Sequence, residues 1–165
     1  MSMIGHYVRL PDADLQKILQ SPASILEILY PQDDLPFAPE RYLDIDKAWH
    51  LIHFLLTGKT WDGEEPMSFA VLGGKLIGEV DVGYGPARYL SPTQVEATAK
   101  ALADISPNEL WKRFDRQQVR QAEIYPSGWG GNETERDYIL QHFSDLKSFF
   151  SDAASDHDAM ILYIN

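Results

Sequence analysis

The chain contains no cysteine, which removes disulfides, thiolate metal sites, iron–sulfur ligation and a cysteine nucleophile from consideration. Basic residues are scarce: 14 Lys and Arg stand against 25 Asp and Glu, a formal net charge of −11. A field of that sign repels phosphate backbones and anionic lipid surfaces, so neither nucleic acid nor a membrane is expected as a partner. No apolar run reaches the ~18 residues of a membrane span. The stretch from Met1 to Leu15 lacks a charged segment leading into an apolar core and a cleavage site, and a cytoplasmic location is the resulting expectation.

What is present is ordinary for a folded protein. Hydrophobic residues make up 44% and charged residues 24%, outside the regime of intrinsic disorder. The 165 residues suffice for a single domain that buries roughly two-thirds of the surface its unfolded chain exposes. The acid is dispersed in local groups such as Asp33-Asp34 and Asp62, Glu64 and Glu65, a pattern that serves solubility as well as it would serve a basic partner.

Read along its length, the chain opens with a strand from Met3 to Leu10 and a helix beginning at Pro11-Asp12. Ser-Pro pairs at Ser21, Ser91 and Ser106 mark helix starts: serine accepts an orphan N–H and proline occupies the first position, where no donor is needed. At Ser91 and Ser106 a Gln94 or Glu109 supplies the reciprocal half of a capping box. Proline-rich Tyr30 to Arg41 predicts an irregular loop, followed by a helix from Leu43 to Gly58 with Asp44 as N-cap. Met67 to Leu72 and Leu76 to Val82 read as strands. Helices follow from Pro92, Pro107 and Asp115, a long helix spans Glu133 to Ala154, and Ala159 to Ile164 is a final apolar strand. Together these elements predict an α/β fold, a helix-rich layered domain with a small mixed sheet covered by helices.

Two groups of residues have the chemistry for a site. On the Leu43 helix, spacings of four and three place Asp46, His50 and His53 on one stripe. A carboxylate and two imidazoles suit a facial metal site or proton transfer, but the HxxH spacing lacks the glutamate and the i, i+4 histidines of zinc proteases. The favoured reading keeps them as satisfied groups at the core's edge, with no metal assigned. The second group is Asp81 to Tyr89, where Gly83 and Gly85 turn the backbone beside Tyr84, Tyr89 and the Arg88 fork. This is the preferred ligand-binding segment, with Trp129 of the glycine-rich loop Tyr125 to Asn132 as a lid. Its competing reading is a tight turn with Arg88 paired to an acid.

Several familiar patterns are missing. Gly73-Gly74-Lys75 lacks the P-loop frame and Ser127 lies outside a GxSxG elbow. Arg113, Arg116 and Arg120 fall on one predicted helical face without aromatic interleaving and read as a solvated surface. No cofactor is implied.

Four blocks, LDIDKAWHLIHFLLTG from Leu43, SFAVLGG from Ser68, DVGYGPARYL from Asp81 and IYPSGW from Ile124, together resemble the YfbM-like family of bacterial proteins. The family carries no assigned function. The resemblance implies a layered α/β domain over nearly the whole chain and transfers no catalytic residue, substrate or cofactor. The residues therefore support a non-catalytic domain binding a protein or a small anionic ligand. The competing expectation is a hydrolase or lyase that moves protons with Asp46, His50 or His53 and anchors its substrate on Arg88.

Overall fold

In chain order, strand β1 (Gly5–Leu10) leads into helices α1 (Asp12–Gln20) and α2 (Ile25–Leu29), and a short strand β2 (Tyr42–Asp44) precedes helix α3 (Trp49–Thr57). Strands β3 (Lys75–Asp81) and β4 (Pro86–Leu90) form a hairpin. Helices α4 (Pro92–Ala103), α5 (Pro107–Trp111), α6 (Arg116–Gln121) and α7 (Glu133–Ser155) come next, and β5 (Ala159–Ile164) completes the sheet. The computed structural model describes residues 2–32 and 37–165.

The sheet order is β2-β1-β5-β4-β3. Every pairing is antiparallel, so the helix-rich α/β domain is the one expected while the mixed sheet is not. The central strands alternate between two cores. Tyr7, Leu90, Met160 and Leu162 join the larger one with α3, α4 and α7, whereas Val8, Ala87, Ile161 and Tyr163 join a smaller one with α1 and α2. Because both faces of β5 are covered, its sequence AMILYI is a continuous apolar run with no polar alternation.

Local signals place most helices correctly. Ser91 and Ser106 each accept the N–H of the residue three positions on, and Gln94 and Glu109 return the bond, so both capping boxes form. Asp115 caps α6 through the Gln118 N–H. Substituting Ser91 with alanine frees one of these donors and is expected to cost about 1 kcal/mol, read as a lower urea midpoint with an unchanged slope. Ser21 makes no such bond: Pro22–Ser24 is a turn of 3-10 helix, and α2 begins after it.

Three expectations fail: the helix start at Leu43, the Asp44 cap and the strand from Met67. The predicted helix at Leu43 starts only at Trp49, because Tyr42–Asp44 is drawn out as an edge strand against His6, Tyr7 and Val8. Asp44 is therefore no helix cap; its Oδ1 accepts the Asp46 N–H at 2.6 Å in a tight turn where Asp46 has φ 46°. The stop is as expected, with Gly58 left-handed at φ 70° and its N–H on Phe54 O. Met67–Ala70 is a 3-10 turn, not a strand. Its apolar run buries Phe69 and Ala70 in the larger core, and a short buried run has no periodicity that distinguishes the two conformations. Of the loop expected from Tyr30 to Arg41, residues 33–36 lie outside the described residues, and Pro39–Arg41 forms a 3-10 turn.

A buried charge network ties the two ends of this framework. Asp158, just before β5, accepts from Arg9 of β1 at 3.1 Å and from Arg41 at 3.2 Å. Arg9 also reaches Asp156 at 2.6 Å and Glu40 O at 2.9 Å.

Candidate functional site

His50 and His53 are both buried on α3, and three of their four ring nitrogens are engaged by backbone. His50 Nε2 donates to Thr60 O at 3.0 Å, and its Nδ1 accepts the Tyr125 N–H at 2.9 Å. His53 Nε2 donates to Asp62 O at 3.0 Å, which leaves its buried Nδ1 lone pair without a hydrogen-bond partner. A carbonyl can only accept, so both rings carry a proton on Nε2, and the bond that His50 Nδ1 accepts makes that ring the neutral tautomer. Burial lowers both pKa values, that of His53 to about 4.

Asp46 stands apart from this pair. It precedes α3, and its carboxylate accepts the Tyr138 hydroxyl of α7 at 3.0 Å. Burial and the bond to Asp46 together raise the Tyr138 pKa. The single stripe of Asp46, His50 and His53 does not form, because the α-helix begins at Trp49, and Asp46–Ala48 before it is a 3-10 turn that Asp46 enters at φ 46°. Among the described residues no three His, Asp or Glu side chains converge on a metal-binding point.

What the histidines do is hold a loop. By donating to Thr60 O and Asp62 O they fix the segment after α3 from both sides of Trp61, and the Trp61 ring lies 4.5 Å from the His50 ring. Trp61 remains 60% exposed, an expensive position for the largest apolar side chain unless something covers it.

Trp61 and Asp62 form one rim of a concavity of about 350 Å³ over a corner of the larger sheet face. Leu76, Arg88, Leu162 and Ile164 come from the sheet, Val71 and Leu72 from the chain after the 3-10 turn, and Tyr84 to Pro86 from the β3–β4 hairpin. Arg88 Nη1 makes one long bond to Gly74 O at 3.4 Å. Among the described residues it has no carboxylate partner, so the acid pairing considered for it is not observed. A guanidinium has five donors, and most of these remain available to the groove.

The expected binding residues are thus divided. Tyr84, Gly85 and Arg88 line the groove. Gly83 shapes its hairpin: Asp81 Oδ1 accepts the N–H groups of Gly83 and Gly85 at 2.7 and 3.0 Å. A Cβ on Gly83, at φ 150°, would come within 2.6 Å of the Asn165 backbone. Tyr89 points to the opposite side of β4, onto the smaller core. Trp129 packs on Tyr138 with ring centroids 6.3 Å apart and lines a separate depression of about 570 Å³ with Arg116 and Arg120. Arg113 shares no helix face with them, since it lies in the turn between α5 and α6, and it donates to Leu55 O at 3.1 Å. The residue that sequence reasoning missed is Trp61. Its only signal was a lone tryptophan among the acids of a turn-rich connection.

The comparisons with known proteins agree with this architecture. The model of a domain of unknown function, DUF1877, matches residues 1–163. Protein YfbM of Escherichia coli strain K12 is 28% identical over 156 residues, covering 92% of this chain and 89% of that protein. A crystal structure of a protein of unknown function, YfbM from Escherichia coli, superposes with a TM-score of 0.74 at 25% identity, covering 98% of this chain and 99% of that one.

Proposed function

The chain belongs to the DUF1877 family, and on that premise we propose that it is a non-catalytic binding domain whose Arg88 groove takes a small anionic ligand with a flat or apolar body. The observation that carries this reading is the Arg88 guanidinium, without a carboxylate partner among the described residues, set in a concavity rimmed by the exposed rings of Trp61 and Tyr84. A carboxylate or phosphate on Arg88 would form the charge-assisted pair that the fold does not supply. Leu76, Leu162 and Ile164 offer the apolar contact, and Trp61 and Tyr84 give rigid, amphipathic contact area at low entropic cost.

The hydrolase or lyase alternative needs an imidazole free to exchange a proton with substrate. Both nitrogens of His50 and the Nε2 of His53 are committed to backbone groups, which favours the binding role; the histidines act by positioning Trp61. A bacterial cytoplasmic setting belongs to the same proposal. In support, no helix among the described residues is long and apolar enough to cross a membrane.

Calorimetric titration with benzoate, indole acetate and phenyl phosphate tests the reading. At least one probe is expected to saturate, Arg88→Gln to weaken it by about tenfold or more, and Trp61→Ala by several-fold, in line with the loss of one charge-assisted pair and one aromatic contact. Binding that ignores Arg88→Gln, or a panel with no saturating member, would overturn it.

A further inference from the structure

A smaller cavity of about 190 Å³ lies on the other face of the sheet, walled by Tyr30, Tyr42, Tyr163 and His6 together with Leu29, Phe37 and Asn165. Its rings are packed in fixed relation. The His6 imidazole lies between the near-parallel rings of Tyr42 and Tyr163, at centroid distances of 5.8 and 4.8 Å, and Tyr30 meets Tyr163 edge-on at 6.3 Å.

A directed chain of hydrogen bonds holds these rings. Tyr30 donates to Val82 O at 2.7 Å, and Asn165 Nδ2 donates to the Tyr30 hydroxyl at 2.8 Å. Asn165 Oδ1 can then only accept, so it receives His6 Nε2–H at 2.6 Å, and His6 Nδ1 receives the Tyr42 hydroxyl at 2.6 Å. Each donor has one acceptor along the whole relay, and the ring orientations are set without any ligand. The Tyr163 hydroxyl takes no part in it.

The lining decides the charge of an occupant. Among the described residues no Lys or Arg lines the cavity, so an anion finds no cationic partner there. Aromatic faces carry negative quadrupole potential and attract cations. Asp44 adds to that potential: after burial, its charge is among the causes that raise the pKa values of Tyr42, to about 12, and of Tyr163. Among the described residues no carboxylate lines the cavity, a lining suited to a weakly hydrated cation and not to a metal ion. The volume falls below that of a site for a drug-sized molecule. We propose that this aromatic box binds the quaternary or methylated ammonium group of a small molecule, at a site across the sheet from the Arg88 groove, with Tyr163 the one residue that borders both. The rings supply the attraction while the relay supplies the preorganisation.

Choline and tetramethylammonium are the probes, titrated by NMR against the intact chain. Their neutral control is the carbon isostere of choline, in which a tert-butyl group replaces the trimethylammonium. Saturable binding of both cations is expected, with the isostere weaker by about tenfold or more. Tyr30→Leu keeps bulk at an exposed position while removing one aromatic ring and the hydroxyl between Asn165 and Val82 O, and is expected to weaken choline by about tenfold. Tyr163→Phe keeps the ring and is expected to leave the affinity unchanged. Equal affinity for the isostere would overturn the proposal by showing a merely apolar cavity. So would failure of both cations to saturate, an unaffected Tyr30→Leu variant, or loss of binding in Tyr163→Phe, which would assign the contact to a hydroxyl.

Discussion

Asp158→Ala is expected to lower stability by about 3 kcal/mol, the lower end of the range for removing one partner from a buried ion pair. The carboxylate is 4% exposed and lies between the guanidinia of Arg9 and Arg41. Its loss strands the Arg9 guanidinium in a site that is itself only 9% exposed. Arg9 would keep Asp156 and the Glu40 carbonyl, which is why the upper end of the range is not reached. Asp156 is 57% exposed, and Asp156→Ala should cost under about 1 kcal/mol, as for other solvated pairs. Urea unfolding of the two variants measures the contrast. Equal midpoints would show that the network is carried by its solvated arm and that Asp158 is dispensable.

A fall in stability of about 3 kcal/mol is expected on acidification through the range in which unfolded histidine titrates and the folded His53 does not. Folding lowers the His53 pKa to about 4 from the ordinary 6.5. The folded chain therefore binds fewer protons than the unfolded chain between these values. The stabilisation is complete above pH 6.5, declines as the pH falls, and is lost once the pH has passed through about 4, where the folded form also protonates. The physical cause is that a proton on Nδ1 would be buried without an acceptor. Burial shifts His50 in the same direction, and protonating its Nδ1 would also break the bond from the Tyr125 N–H. His53→Gln retains a donor for Asp62 O and cannot titrate. Its stability-against-pH curve should be flatter than that of the parent over this interval, and coincident curves would remove His53 as the cause. Because the two rings pin the loop on either side of Trp61 and the folded His53 protonates only near about 4, affinity for an anionic probe at the Arg88 groove should hold over this interval and decline only as the pH falls below it.

The elements readable in the sequence are those whose determinants lie within a few residues. The capping boxes at Ser91 and Ser106, the Asp115 cap and the Gly58 stop are satisfied by bonds spanning three or four positions, and they form as expected. The stripe of Ile139, Phe143, Leu146 and Phe150 repeats at helical spacing and is buried along α7. Strand β5 was legible because a segment covered on both faces is apolar throughout.

The remainder depended on partners far away in the chain. Tyr42–Asp44 has an apolar pattern that continues into the helix, yet its backbone bonds to β1 more than thirty residues earlier, and local propensity gives way to that pairing. The same displacement separates Asp46 from the two histidines and turns a supposed catalytic stripe into a loop anchor. Arg88 could be named from its glycine-flanked segment, but its lack of a carboxylate partner, and the arrival of Trp61 beside its groove, were not encoded in any spacing.

Composition and local pattern thus determined a folded α/β domain without thiol chemistry, its capped helices and its family. Tertiary structure alone decided that the histidines are braces, that the arginine sits in an open corner of the sheet, and that His6 and three tyrosines enclose a box. The reason is one of range: a cap or an amphipathic stripe is satisfied within a turn or two of helix, whereas a cavity exists only where segments distant in sequence leave space between them.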